Sequence, residues 1–566
     1  MDKRRLVYPR SWMLVCLTCL VLLAIGVIGL EKPLAAEGEP LPAFEPGQVM
    51  VKLRPEGRAQ ADEVAARHGA TVIEDLTSGW YLLAVPNGQE QAAIVDLLRD
   101  ELVSAAELNY RIISFMGLGL RSSHLESFPT FRLQPDQLTG GAQLASAAND
   151  PQFPAQWNLI RIRVASQYLD EPSAWDYTTG GSNIIIAILG TGIDRNHPDL
   201  KDKLLPGYDF VNKDDDPSED GMGFGTMQAG IAAAISNNHL GVAGASWGAR
   251  ILPVKVLDSK TGGNYATVIK GINYAVDQKA NIINMSFSGY DSNYQALQEA
   301  INYAVSRGAL PIASVGEKGA EPELRTPYPA ALNGVLGVTA TDRNDVRLPS
   351  SGHGPFVDVA APGEDIIGTY CENDYRGYAT GYGSEFAAPQ VSGVAALIWS
   401  MNPTLKATEV ARIIKESARD LGPSGPGEDY DYGLVDAMAG VMKTPHYLEV
   451  NRPFLHFGQA GNMIQPSQYT ITNTYTSAPT WVVTTTADWL MASQPTVNVP
   501  STVTISITPG AEHGCDSRSA QAHVTSLMEQ TVTKTITLNA ILRYNRPCPV
   551  RVYVPWIGYN QRNKNR

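Results

Sequence analysis

The sequence predicts a large doubly wound α/β domain with a small α+β domain before it and a β-sandwich after it. Three observations carry this expectation. Short apolar runs at 184–189, 251–257, 282–286 and 310–314 alternate with helical patterns, as the buried strands of a parallel sheet do. Residues 48–114 instead run through strand and helix patterns in the order β-α-β-β-α-β, a ferredoxin-like unit. After Pro445 the texture changes to alternating Thr, Val and Ser with turn residues, which reads as the short strands of a sandwich. The expected divisions are a leader at 1–36, the small domain at 45–114, a linker at 115–148, the α/β domain at 149–442, the sandwich at 445–550 and a basic tail at 551–566.

At 566 residues and 44% hydrophobic content the chain can bury a sizeable core in more than one domain. A formal net charge of −13 leaves no basic footprint, so nucleic acid is excluded as an expected partner. The leader has Lys3, Arg4 and Arg5 before an apolar run from Trp12 to Leu30, with small residues at Ala35 and Ala36. That order is a secretory signal, and the run is also long enough to span a bilayer, so cleaved signal and uncleaved anchor are both open. Either way the protein is expected outside the cytoplasm. Of the five cysteines, Cys16 and Cys19 fall in the leader, Cys371 in a polar loop, and Cys515 and Cys548 in the C-terminal region, where a disulfide and two free thiols are both open.

In the small domain, 48–53 alternates as a strand, 59–68 is a short amphipathic helix ended by Gly69, 80–85 is a second strand, and a second helix near 90–99 leads into strand-like residues up to Ser114. Residues 117–148 are rich in Ser, Gly and Gln without periodicity and read as an exposed linker. In the α/β domain the densest motif is Gly383-Ser384-Glu385-Phe386-Ala387-Ala388-Pro389, a Gly-Ser turn opening a small-residue helix whose first amides can hold an anion.

This motif resembles the G-T-S-M-A-A-P segment of subtilisin-like serine peptidases. The likeness runs from Asn149 to Met442 through Asn149-Asp150-Pro151, His197-Pro198-Asp199-Leu200, Tyr328-Pro329-Ala330, Asp358-Val359-Ala360-Ala361-Pro362-Gly363 and Asp431-Tyr432-Gly433-Leu434. It implies a subtilisin-like fold, and the small domain resembles the propeptide of that family, an inhibitor and folding chaperone, with 105–110 similar to its A-E-P-N-Y ending. Residues 487–490 resemble BACON-type sandwich modules, for which surface or carbohydrate attachment has been proposed. A plain stabilising domain is the alternative.

Such peptidases need a nucleophile, a base, a carboxylate to orient the base and a donor for the oxyanion. By the resemblance the orienting carboxylate belongs at Gly190, the base at Phe224 in Gly223-Phe224-Gly225-Thr226, the oxyanion donor at Glu317 in Val315-Gly316-Glu317, and the nucleophile at Glu385. None of these four side chains can take the role its position implies. Asp194, His197, Ser384 and Thr191 lie close in sequence to the vacated positions, so a relocated triad is one alternative. Chemistry by Glu317 and Glu385 is another, and a third is purely structural, with Glu385 capping its helix and Glu317 paired to a cation such as Lys318. The expectation is therefore an exported, proteolytically inactive binding or scaffold protein that keeps its propeptide-like domain. Its cleft would take an extended peptide or protein, narrowed where Ser288 replaces the family's usual Gly. The resemblance also implies a structural calcium ion at Asp150, Asp199 and Asn238 with backbone carbonyls of Ser236, Leu240 and Val242.

Overall fold

The computed structural model describes residues 43–112 and, with short interruptions, 148–445, together with backbone strands between 448 and 553. The leader, nearly all of the linker, Lys318, and the four cysteines other than Cys371 lie outside the described residues.

The small domain is the expected β-α-β-β-α-β unit: β1 (Phe44–Leu53), α1 (Ala61–Arg67), β2 (Thr71–Thr77), β3 (Trp80–Ala84), α2 (Glu90–Leu97) and β4 (Val103–Ile112). Its antiparallel sheet has the order β2-β3-β1-β4. Strand alternation gives the sheet two apolar faces. Val49, Val51 and Leu53 point into the domain's own core with Val64, Leu83 and Leu97. On the other face Met50, Trp80, Leu82 and Ala105 join the core of the following domain.

The α/β domain follows a short helix, α3 (Trp157–Arg161), with β5 (Ile185–Gly190), β6 (Tyr208–Asp209), α4 (Phe224–Ala233), β7 (Arg250–Lys255), β8 (Gly263–Asn264), α5 (Tyr265–Asp277), β9 (Ile282–Met285), α6 (Gln295–Ser306), β10 (Leu310–Ser314), β11 (Leu336–Thr341) and β12 (Val359–Pro362). An antiparallel hairpin, β13 (Ile366–Glu372) and β14 (Tyr375–Gly381), precedes α7 (Ser384–Met401), α8 (Ala407–Ser417) and α9 (Ala437–Lys443). The seven-stranded parallel sheet has the order β12-β11-β10-β9-β5-β7-β6. Both faces are covered, which is why its strands are apolar throughout. Ile186 and Ile188 of β5 pack with α7, α8 and α9, whereas Ala187 and Leu189 pack with α5 and α6.

Lys203, in the turn after Leu200, threads its ammonium onto the carbonyls of Ala233 (2.7 Å), Ala234 (3.5 Å), Ser246 (3.4 Å) and Trp247 (2.5 Å). A cation there closes the carbonyl end of α4.

Two readings change. Cys371 lies in β13 rather than a loop, and its buried thiol, pushed up to about 12 by burial, sits 3.3 Å from Thr226 Oγ1. Beyond residue 445 the backbone forms a four-stranded and a five-stranded antiparallel sheet. The second includes Arg551–Tyr553, three residues assigned above to the tail.

Candidate functional site

The four positions that the resemblance assigns to catalysis sit at the ends of strands and helices or just beyond them. Gly190 ends β5, Phe224 opens α4, Glu317 stands three residues past β10, and Glu385 is the second residue of α7. They lie in one connected patch. A Cβ at Gly190 would sit 3.4 Å from Gln228 Oε1 and 3.7 Å from the Cα of Gly225, both on α4. Phe224 packs on Phe386 with ring centroids 5.3 Å apart, and both rings are buried. Beside Phe386, the Glu385 carboxyl is 1% exposed and Glu317 7%.

The two glutamates meet directly. Glu317 Oε1 accepts from the Ser384 amide at 2.6 Å, the Ser384 hydroxyl donates to Glu385 Oε2 at 3.3 Å, and Glu317 stands close enough to Glu385 for its charge to bear on that carboxyl. Burial, and then the charge of Glu317, raise the Glu385 carboxyl well above the usual carboxylate range. One proton shared between the two acids satisfies this arrangement. Gly383 makes it fit: its φ is +127°, and a Cβ there would fall 2.7 Å from Glu317 Oε1 and 3.0 Å from Glu385 Oε2. The first amide of α7, that of Ser384, is thus taken by Glu317, from the loop after β10, rather than by Glu385. The expected pairing of Glu317 with Lys318 falls on a residue outside the described ones.

The residues weighed as replacements are committed elsewhere. Asp194 pairs with Arg376 Nε at 2.6 Å. His197 is fully buried, with Nε2 on the Gly377 carbonyl at 2.9 Å and Nδ1 accepting from the Asp199 amide at 3.2 Å. Thr191 donates to Glu219 Oε2 at 2.9 Å and accepts from the Gly225 amide at 3.0 Å. Among the described residues neither Thr191 nor Ser384 touches an imidazole. Glu219 was not foreseen: its carboxylate also takes the Gly225 amide at 3.1 Å, anchoring the start of α4 from five residues upstream, outside the spacing of a capping box.

A second cluster gathers the residues expected to hold a cation. Asp150 accepts from the amides of Asn237 and Asn238 at 2.8 and 3.3 Å. Asp199 accepts from Asn238 Nδ2 and the Tyr378 hydroxyl, both at 2.9 Å, and from the Val242 amide at 3.2 Å. Burial first, and the nearby Asp199 charge, push the Asp150 carboxyl up. Ser236 and Leu240 lie in the same loop, where Ser236 Oγ donates to the Ala234 carbonyl and the Leu240 amide to Asn238 Oδ1.

The end of the small domain runs between β8 and Gly289 of the α/β domain. Arg111 and Ile112 of β4 pair antiparallel with Asn264 and Gly263 of β8. On the other side a Cβ at Gly289 would lie 3.4 Å from the Arg111 carbonyl oxygen. Ile112 is wholly buried there, and so is Ser288.

A parallel α/β sheet with this helix order, and a ferredoxin-like domain laid across two of its helices, defines a peptidase-type scaffold preceded by a prodomain. The chain belongs to the subtilase family. The family's sequence profile matches residues 181–434, and a profile of the fervidolysin N-terminal prodomain matches residues 31–109. Thermitase of Thermoactinomyces vulgaris is 39% identical over 294 residues, 52% of this chain and 99% of thermitase. A thermophilic serine proteinase of Bacillus sp. strain AK1 is 39% identical over 268 residues, 47% of this chain and 64% of its own length. The crystal structure of fervidolysin from Fervidobacterium pennivorans aligns over 90% of this chain and 92% of its own, with a TM-score of 0.59 and 18% identity, a likeness of fold alone.

Proposed function

We propose that this subtilase is an exported pseudopeptidase, a binding or scaffold protein that does not cut peptides and keeps its prodomain. The observation that carries the reading is the buried Glu317–Glu385 pair, two acids bridged through Ser384 at the positions the resemblance gives to the oxyanion donor and the nucleophile. An acid accepts where an oxyanion needs a donor, and Phe224 cannot take a proton. In subtilisin itself, loss of the nucleophile or base alone costs about a million-fold in rate. The pair is also a poor glycosidase centre, since paired glycosidase carboxyls stand roughly 5–9.5 Å apart around substrate and water. Export rests on the basic and apolar leader. No described helix is long and apolar enough to cross a membrane.

The cluster at Asp150 suits a calcium ion: two buried carboxylates and a side-chain amide converge from three segments, and one carboxylate raises the other. Bound there, the ion would supply the positive charge this cluster otherwise takes only from N–H and O–H donors. The remaining groove, bounded by β8 and Gly289, is the expected seat of an extended peptide when β4 is displaced.

Intact mass of the purified chain after incubation at neutral pH with calcium tests the reading. A mass retaining residues 44–112, with no serine labelled by a fluorophosphonate probe, supports it. Self-cleavage that Glu385→Ala abolishes sinks it.

A further inference from the structure

The face between the prodomain and the α/β domain contains a second buried acid, independent of the vacated catalytic positions. Glu107 of β4 is 2% exposed and accepts from the Ala296 amide at 3.2 Å, and from that of Gln295, at the start of α6. Its neighbours across the interface carry few spare charges. From α6 comes Glu299, which is bound by Lys52 of β1 at 2.6 Å and by Trp80 Nε1 of β3 at 3.0 Å. From α5 comes Lys270, which is bound to Glu74 of β2, and Asn273, which donates to the Leu76 carbonyl at 3.1 Å. No cation is paired with Glu107 among the described residues, and the charge that bears on it is that of Glu299. Undocking would return Glu107 to water, because the sheet face around it, including Met50 and Trp80, is buried against α5 and α6.

We propose that Glu107 makes docking of the prodomain pH-dependent, with the clamp tight while the acid holds a proton and loosened once it is ionised. The two amides of α6 can serve either form, but only the neutral acid avoids placing a buried charge beside Glu299. Burial first, with the Glu299 charge adding to it, pushes Glu107 up to about 7. A group with a higher pKa in the docked state takes up a proton on docking. The clamp therefore has its full strength below the free-glutamate range and loses it as the pH rises through about 7. Docking is set against the chain's own tether, so the loosening appears as more frequent opening rather than release.

Hydrogen exchange of the full chain, followed by mass spectrometry from pH 5 to 8.5 with rates corrected for intrinsic pH dependence, reads this opening in peptides covering 103–112 and 295–306. The wild type should open at least tenfold more often at pH 8.5 than at pH 5, whereas Glu107→Gln should remain docked with a flat profile. A flat wild-type profile, or the same rise in Glu107→Gln, overturns the proposal. If Glu107→Gln does not fold, the Lys52→Met, Glu299→Met double variant decides. It removes the ion pair but leaves the acid, so a surviving pH step supports Glu107 and a vanished step assigns the effect to the pair and refutes it. Intact mass distinguishes this from the catalytic reading, since loosening leaves the chain whole.

Discussion

The backbone amide of Ser384 is bonded at 2.6 Å to the carboxyl of Glu317, a residue 67 positions earlier that belongs to a different layer of the fold. The helix is pinned by its first amide, and the buried Glu385 beside the pin is held toward its neutral form by burial and by Glu317. Stability should therefore fall with rising pH. Glu385 is raised above its ordinary 4.5, so its contribution is complete in acid and is lost as the pH climbs through the raised value. Melting temperatures between pH 5 and 9 should drop for the wild type and drop less steeply for Glu385→Gln, which keeps the contribution of Glu107. Parallel curves would contradict the shared proton.

Restoring one catalytic group should restore nothing. Glu385→Ser leaves the new hydroxyl facing Phe224 and a buried Glu317, and turnover of a fluorogenic peptide should stay at background. The fourfold change Gly190→Asp, Phe224→His, Glu317→Asn, Glu385→Ser should recover activity by at least a thousandfold over the single variant. Gln228, whose Oε1 would lie 3.4 Å from the new Cβ at 190, is the neighbour that must yield.

Calcium should stabilise the α/β domain. At a hundredfold excess over its dissociation constant a bound ion adds about 2.7 kcal/mol. Differential scanning fluorimetry should show a higher melting temperature with calcium than with a chelator, and no difference in Asp199→Asn. An equal response in that variant would place the ion elsewhere.

Lys203→Met should destabilise the fold by roughly 2 kcal/mol, because carbonyls at the end of α4 and at 246–247 lose their donor. Urea unfolding measures it. Lys203→Arg, too broad for the same nest, should not rescue fully.

Most of the scaffold was legible because burial on both faces leaves an unbroken apolar signature, as at Ile186–Leu189, and because the family's motifs sit in order around it. What escaped was contact between distant segments. Nothing local in Glu317 says that it will cap α7, and Glu219 acts from outside any recognised cap spacing. Cys371 looked like a loop residue because polar neighbours flank it, yet the hairpin turns its side chain under α4. The edge strand Thr71–Thr77 lacked a clear apolar run, since most of its residues remain at least partly exposed.

The pairing of Arg111 and Ile112 with β8 means that the groove meets a peptide already attached to it. For as long as residues 112 and 148 stay joined, that peptide is present at an effective concentration on the order of millimolar, whatever the protein's dilution. A soluble competitor of merely micromolar affinity is handicapped by that local excess. Occupancy by a partner would then be governed less by abundance than by anything that severs the connecting segment.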